Sequence, residues 1–196
     1  MKKLSIAQIQ ELQARIATGD EMALSSLYNA YADKLFHFAY AIVHSKEMAE
    51  EIIEDVFIKV WQKRSHIATI ENFIFYLFVI TKNISCNYLR KYNRNKSICL
   101  NELSLPYYYI NVSPEDLFIT SETLQGINKA INELPPQCRI IFKLIKEDGL
   151  KYKDVAALLD LNIKTVENQM GIALKKLHAS IEKLLPAVKK LPLKKN

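Results

Sequence analysis

Residues 155–170 read VAALLDLNIKTVENQM, two short apolar segments on either side of a tight corner. Val155 and Leu159 fall on one helical face, Ala156 is small, and Leu161 is placed to plug the turn. Asn162 is an N-cap residue type immediately before Ile163, and Val166 then points back inward. A small residue that lets a second helix cross closely over a first, with the second helix presenting its N-terminal end outward, is a helix-turn-helix arrangement. The position after Leu159 is often glycine in such a motif. Here it is Asp160, a residue that tolerates the left-handed conformation better than most.

A helix held this way fits the DNA major groove and reads base edges with its first turns. The residues expected on its outer face are Lys164, Thr165, Glu167, Asn168 and Gln169. Asn and Gln can pair bidentately with adenine, and Glu can accept from the cytosine amino group. The same spacing also suits a plain helical hairpin with a solvated face, so the rest of the chain has to decide.

Working outward, the pattern is helical throughout. Only four glycines and six prolines punctuate 196 residues, which is poor for turns and favours long helices over sheet. From Asp20, Leu24, Leu27, Tyr28, Tyr31, Leu35, Phe38 and Ile42 recur at helical spacing to about Val43. Ser45 is an N-cap for the next helix, with Glu47, Glu50 and Glu51 in its first turns and a stripe of Met48, Ile52, Val56 and Val60. KRSHIATIEN (63–72) breaks the period and reads as a loop. A third helix from about Glu71 to Tyr92 buries Phe73, Leu77, Ile80, Ile84 and Tyr88. The N-terminal MKKLSIAQIQELQARIATGD is amphipathic rather than a signal sequence.

SICLNELSLPYYYINVSPED (97–116) then loses periodicity. At about 20 residues it is long for a connection within one compact domain and reads as an interdomain linker. Helix returns at about Ser121–Glu133. Leu134-Pro135-Pro136 ends it, because the residue before a proline is pushed out of the helical region, and Pro136 can open the next helix. The expected fold is all-α: two small helical domains, residues 1–96 and 121–196, joined by residues 97–120.

Charge is polarised along the chain. Lys82, Arg90, Lys91, Arg94 and Lys96 are unbroken by any acid, as is the tail with Lys189, Lys190, Lys194 and Lys195, whereas Glu50, Glu51, Glu54 and Asp55 make an acidic run. The net charge of +6 favours an anionic partner. Cys86, Cys99 and Cys138 lack any CxxC spacing and read as free thiols in a reducing cytoplasm. His37, His44, His66 and His178 show no metal-ligand spacing, and no catalytic set or phosphate-cradling glycine loop is present, so neither metal, cofactor nor catalytic residue is assigned.

INELPPQCRIIFKLIKEDGLKYKDVAALLDLNIKTVENQMGIALKKL resembles the fourth region of bacterial sigma-70-type factors of the small extracytoplasmic-function (ECF) class. Leu134-Pro135, Arg139, Ile140–Leu144, Gly149-Leu150 and Tyr152 fall in place before the helix-turn-helix. MAEEIIEDVFIKVWQKR and ENFIFYLFVITKNISCNYLRKYNR are similar to the acidic and the aromatic-basic helices of the second region.

The resemblance implies an RNA polymerase sigma factor. The acidic helix would dock on the clamp helices of the largest core subunit through Glu50, Glu51, Glu54, Asp55 and Phe57, with Glu54 standing where the family usually has Gln. The aromatic-basic helix would read and melt the minus-10 element. Asn83 and Asn87 would face the non-template strand, Lys82, Arg90, Lys91 and Arg94 would hold phosphates, and residues 65–72 would build a pocket for an extruded base. The helix-turn-helix would bind the minus-35 element while its domain leans on the flap of the second-largest subunit. An anti-sigma factor is a further implied partner, and the protein would be cytoplasmic. The alternative from the helix-turn-helix alone is a free-standing transcriptional regulator, which leaves the acidic helix and residues 63–92 without a role.

Overall fold

A computed structural model describes residues 4–92 and 121–184 of the chain. The linker (97–120), Arg94, Lys96 and the basic tail from Lys189 lie outside the described residues. Among the described residues every regular element is helical.

Local caps account for most of the helix starts. Helix α1 (Ile6–Ala17) opens with a reciprocal capping box between Ser5 and Gln8. Helix α2 (Glu21–Val43) is capped by the Asp20 carboxylate, which accepts from the Met22 and Ala23 amides. It stops at His44, whose left-handed backbone (φ 54°) closes the corner. Helix α3 (Lys46–Gln62) begins at Ser45, as its sequence predicts.

The stretch expected to be a loop instead contains a four-residue helix, α4 (Arg64–Ile67), with no side-chain cap. It is held from outside. Ile67 is fully buried, and the buried Gln13 amide of α1 donates to the carbonyls of Ile67 and Ile70 at 3.1 and 2.9 Å. Tertiary satisfaction of backbone groups here replaces local propensity. Asn72 accepts from the Phe75 amide and so caps helix α5 (Phe73–Tyr92).

Helices α1, α2, α3 and α5 pack around Leu27, Leu35, Ile52, Val56, Leu77 and Phe78, all fully buried. Phe38 and Phe78 meet edge-on at 5.2 Å, the arrangement the ring quadrupoles favour.

In the second domain, α6 (Ser121–Asn132) and α7 (Pro136–Lys146) are separated by the prolines, with Pro136 in the first turn of α7. The buried Arg139 guanidinium donates to the Asn132 carbonyl at 2.7 Å, satisfying an orphan acceptor at the end of α6. That gives the arginine of the Leu-Pro–Arg pattern a structural task.

Gly149 (φ 77°) makes the turn into α8 (Tyr152–Leu158). Asp160 (φ 54°) then supplies the left-handed corner before α9 (Ile163–Leu184). Val155, Leu158 and Leu159 are buried against Val166 and Met170, so the helix-turn-helix core forms as its spacing requires.

Among the described residues two apolar clusters result. Ala130, Ile131, Leu134, Cys138, Ala173 and Leu177 pack beneath α6. The helix-turn-helix core, with Ile140, Ile141 and Leu144, instead belongs to the same cluster as the first domain. The two domains therefore fold against one another.

Gly171 lies in the interior of α9, exposed, and a Cβ there would meet nothing within 4 Å. Gly171→Ala is expected to stabilise the protein by about 0.8–1 kcal/mol, the cost of glycine in a helix interior. Chemical denaturation of the two chains checks this, and a destabilised variant would mean that α9 is not helical at that point.

Candidate nucleic-acid and polymerase interface

Helix α3 buries Ile52, Ile53, Val56, Phe57 and Val60 and turns Glu50, Glu51 and Glu54 to solvent. Asp55, on the border of that stripe, is half-buried and accepts from the Tyr88 hydroxyl of α5 at 2.9 Å. Burial, then that bond to Asp55, pushes the Tyr88 phenol up to about 12, so Tyr88 stays a donor. The bond fixes the acidic helix against the basic one.

Phe57 was expected on the polymerase face, but it is 6% exposed. It follows Ile53 by one turn and precedes Val60 by another, which places it in the apolar stripe. Its ring packs against Tyr28 at 4.8 Å, and it is Tyr28 and Ile58 that carry apolar surface outward beside the acids. Ile58 falls off the Ile52–Val56–Val60 stripe, which is the sequence signal that could have singled it out; Tyr28 has no such signal, because it lies next to Leu27 in the apolar pattern of α2.

On α5, Asn83, Asn87, Arg90 and Lys91 are exposed. Their spacing sets Asn83, Asn87 and Arg90 in one row, and the Arg90 guanidinium donates to the Asn87 side-chain oxygen at 3.0 Å. Lys82 stands apart from that row. Its side chain is only 16% exposed, and its ammonium pairs with Asp160 of the helix-turn-helix corner at 2.7 Å.

At the second domain, the Asn162 side chain accepts from the Lys164 amide at 2.8 Å, making the predicted cap. Lys164, Glu167 and Asn168 are exposed, with Lys164 paired to Glu167 at 3.1 Å. Thr165 and Gln169, also expected outside, are half-buried. Gln169 lies one turn from both Val166 and Ala173, so it borders the buried stripe, and it accepts from the Cys138 thiol at 2.8 Å. Asn168 is thus the amide that faces solvent on the outer side of α9.

Polar contacts that join the domains among the described residues include Lys34 to Asp148 at 3.4 Å, Asn72 to Asp154 at 2.8 Å, and Lys82 to Asp160 at 2.7 Å. Burial drives the Asp148 carboxyl up to about 6 from 3.8, with Glu147 adding to the rise and Lys34 and Lys143 opposing it. As pH falls through about 6, the folded chain takes up a proton that the unfolded chain does not, so this group's contribution to stability rises on acidification. Glu147, also raised by burial, acts in the same direction. His37 of α2, lowered by burial, acts in the opposite one.

Comparison with Asp148→Asn separates these effects. Wild-type stability relative to the variant is expected to increase between about pH 7 and pH 5. Parallel profiles from thermal melts would rule out a buried carboxyl at this position.

The family model described as Sigma-70 region 2 matches residues 27–95, and that described as Sigma-70, region 4 matches residues 124–177. The chain is 27% identical over 164 residues to the ECF RNA polymerase sigma factor SigE of Mycolicibacterium smegmatis, covering 79% of this chain and 61% of that protein's length. It is 24% identical over 191 residues to the ECF RNA polymerase sigma-E factor of Escherichia coli K12, covering 90% of this chain and 95% of that one.

Among solved structures, CnrH in complex with the cytosolic domain of CnrY has a similar fold, with TM-score 0.50 and 20% identity over 89% of this chain and 97% of that one. No helix among the described residues is long and apolar enough to cross a membrane. With both sigma regions matched in order on an all-helical two-domain chain, this protein belongs to the sigma-70 family of RNA polymerase sigma factors, in its ECF class.

Proposed function

We propose that the chain binds core RNA polymerase and directs promoter-specific initiation, reading a minus-10 element with α5 and a minus-35 element with α9. The observation that carries this is the presence in one chain of three surfaces: the acidic face of α3, the amide and basic row of α5, and the outer face of the helix-turn-helix. A free-standing regulator needs only the last. The working division is residues 1–96, 97–120 and 121–196.

Glu50, Glu51 and Glu54, with Asp55 held by Tyr88 and Phe57 beneath Tyr28, form the proposed contact to the clamp helices of the largest core subunit. The second domain is proposed to contact the flap of the second-largest. Asn83 and Asn87 face displaced bases, while Lys82, Arg90, Lys91 and Arg94 hold phosphates. Lys164, Thr165, Glu167, Asn168 and Gln169 form the minus-35 surface, with Gln169 in the role of a support. Bond-making chemistry belongs to the polymerase, the chain acts in the cytoplasm, and an anti-sigma factor controls it.

Run-off transcription with purified core on a pool of upstream fragments tests the function. Discrete starts that depend on this chain and share paired upstream elements are expected. Promoter binding that needs no core would favour the regulator instead. Replacing Arg90 and Lys91 together by Ala should weaken the promoter complex and flatten its salt dependence by about 0.7–0.9 for each phosphate that is no longer neutralised. An unchanged salt slope would remove both from the DNA face.

A further inference from the structure

Gly171 sits inside α9 without a positive φ, unlike Gly19 and Gly149, and a Cβ there would meet nothing within 4 Å. A glycine in a helix interior weakens the helix, so its presence needs a reason. Neither backbone conformation nor packing among the described residues supplies one. Open space beside a missing side chain does have a use if a second molecule approaches the helix at that point.

The surroundings indicate which molecule. Val166, Met170, Ala173 and Leu177 make the buried stripe of α9. On the opposite side, at the same spacing, Lys164, Asn168, Gly171 and Lys175 form the outermost row, all exposed. Ile172 follows Asn168 by one turn and is 44% exposed. Single exposed aliphatics are ordinary on protein surfaces, and by itself this one would mean nothing. Asn168, Gly171, Ile172 and Lys175, however, stand at the i, i+3, i+4, i+7 positions that surround one hole on a helix surface. Without a side chain at Gly171 that hole is open on one flank, and Ile172 walls the other. An amide at one end can read a base edge, and lysines at both ends of the row suit phosphates. The apolar group that a major groove presents beside such contacts is the 5-methyl of thymine.

We propose that this notch takes the 5-methyl group of a thymine in the minus-35 element. Ile172 is the apolar wall the methyl packs against, and Gly171 is the opening that lets the base edge come close. The proposal rests on the reading of α9 as the minus-35 helix.

The test uses holoenzyme assembled from purified core polymerase and the full chain, on the promoter with the strongest chain-dependent start from the upstream pool. Each thymine of its minus-35 element is replaced in turn by deoxyuridine, which lacks only the 5-methyl. Promoter affinity is read by fluorescence anisotropy. One replacement is expected to weaken binding about fourfold, the effect of leaving one methyl-sized group unburied. With Ile172→Ala the same replacement should change nothing. Leu174→Ala removes an equally exposed apolar side chain from about 200° around the helix and should keep the wild-type response. Gly171→Ala should raise the denaturation midpoint yet weaken promoter binding about tenfold, because its methyl fills the opening, while core binding stays unchanged.

Three results would each overturn the notch. The first is an element with no thymine whose methyl matters. The second is a methyl effect that persists in Ile172→Ala or vanishes in Leu174→Ala. The third is a Gly171→Ala chain that binds the promoter as tightly as the wild type. Chain-dependent starts would remain in all three cases, so the sigma function would stand. Failure of every fragment to give such a start would overturn that function and the notch with it.

Discussion

Phe78→Ala is expected to destabilise the first domain by about 3–5 kcal/mol, the range for emptying a large buried aromatic site. Phe78 is fully buried, meets Phe38 edge-on, and lies where α2 and α5 press together. A loss of this size is a large share of the roughly 5–15 kcal/mol that holds a typical protein folded. The denaturation midpoint checks it directly. The functional consequence should be broad, because the acidic face of α3 and the amide row of α5 both stand on helices packed around this core. Core-polymerase binding and promoter opening are expected to fall together. If stability dropped by less than about 1 kcal/mol, the packing of α5 on α2 would be looser than the ring geometry describes.

Asn168→Ala is the second large effect, and it concerns specificity rather than stability. Asn168 is exposed and lies on the far side of α9 from Val166 and Met170, so its removal opens no cavity. If its amide makes a bidentate contact to adenine, the substitution should cost about 1–3 kcal/mol of discrimination at one base pair of the minus-35 element. Transcription from a panel of single-base promoter variants measures this. Preference should relax at one position and persist elsewhere. Uniform weakening across the panel would assign Asn168 to backbone contact and leave Lys164 and Glu167 as the base readers.

Why some elements are readable in sequence and others are not follows from where their energy lies. Ser45, Asp20, Pro136 and Asn162 each act within one turn of the helix they start, so a local pattern suffices to place α2, α3, α7 and α9. The left-handed corner at Asp160 is legible for the same reason. Helix α4 has no such signal. It exists because Gln13, more than fifty residues away, satisfies the carbonyl of its last residue, Ile67, and that of Ile70 just beyond, and because Ile67 finds a core to enter.

Phe57 and Gln169 show the same limit at the site. Residue type and motif position put both at a surface, but each borders a buried stripe whose angular width depends on the neighbouring helices. Only the packed structure shows Phe57 under Tyr28 and Gln169 against Cys138.

By itself the sequence determined that the chain is helical, that it carries two domains, and that an acidic helix, a basic amide-bearing helix and a helix-turn-helix follow in order. Periodicity and capping are short-range and survive without tertiary information. The tertiary structure alone decided that the domains dock and that Lys82 is paired with Asp160. Asp154 has a local partner in the Lys151 amide, but the pairing of Asp148, Asp154 and Asp160 with Lys34, Asn72 and Lys82 comes from another domain brought against them by a shared apolar seam.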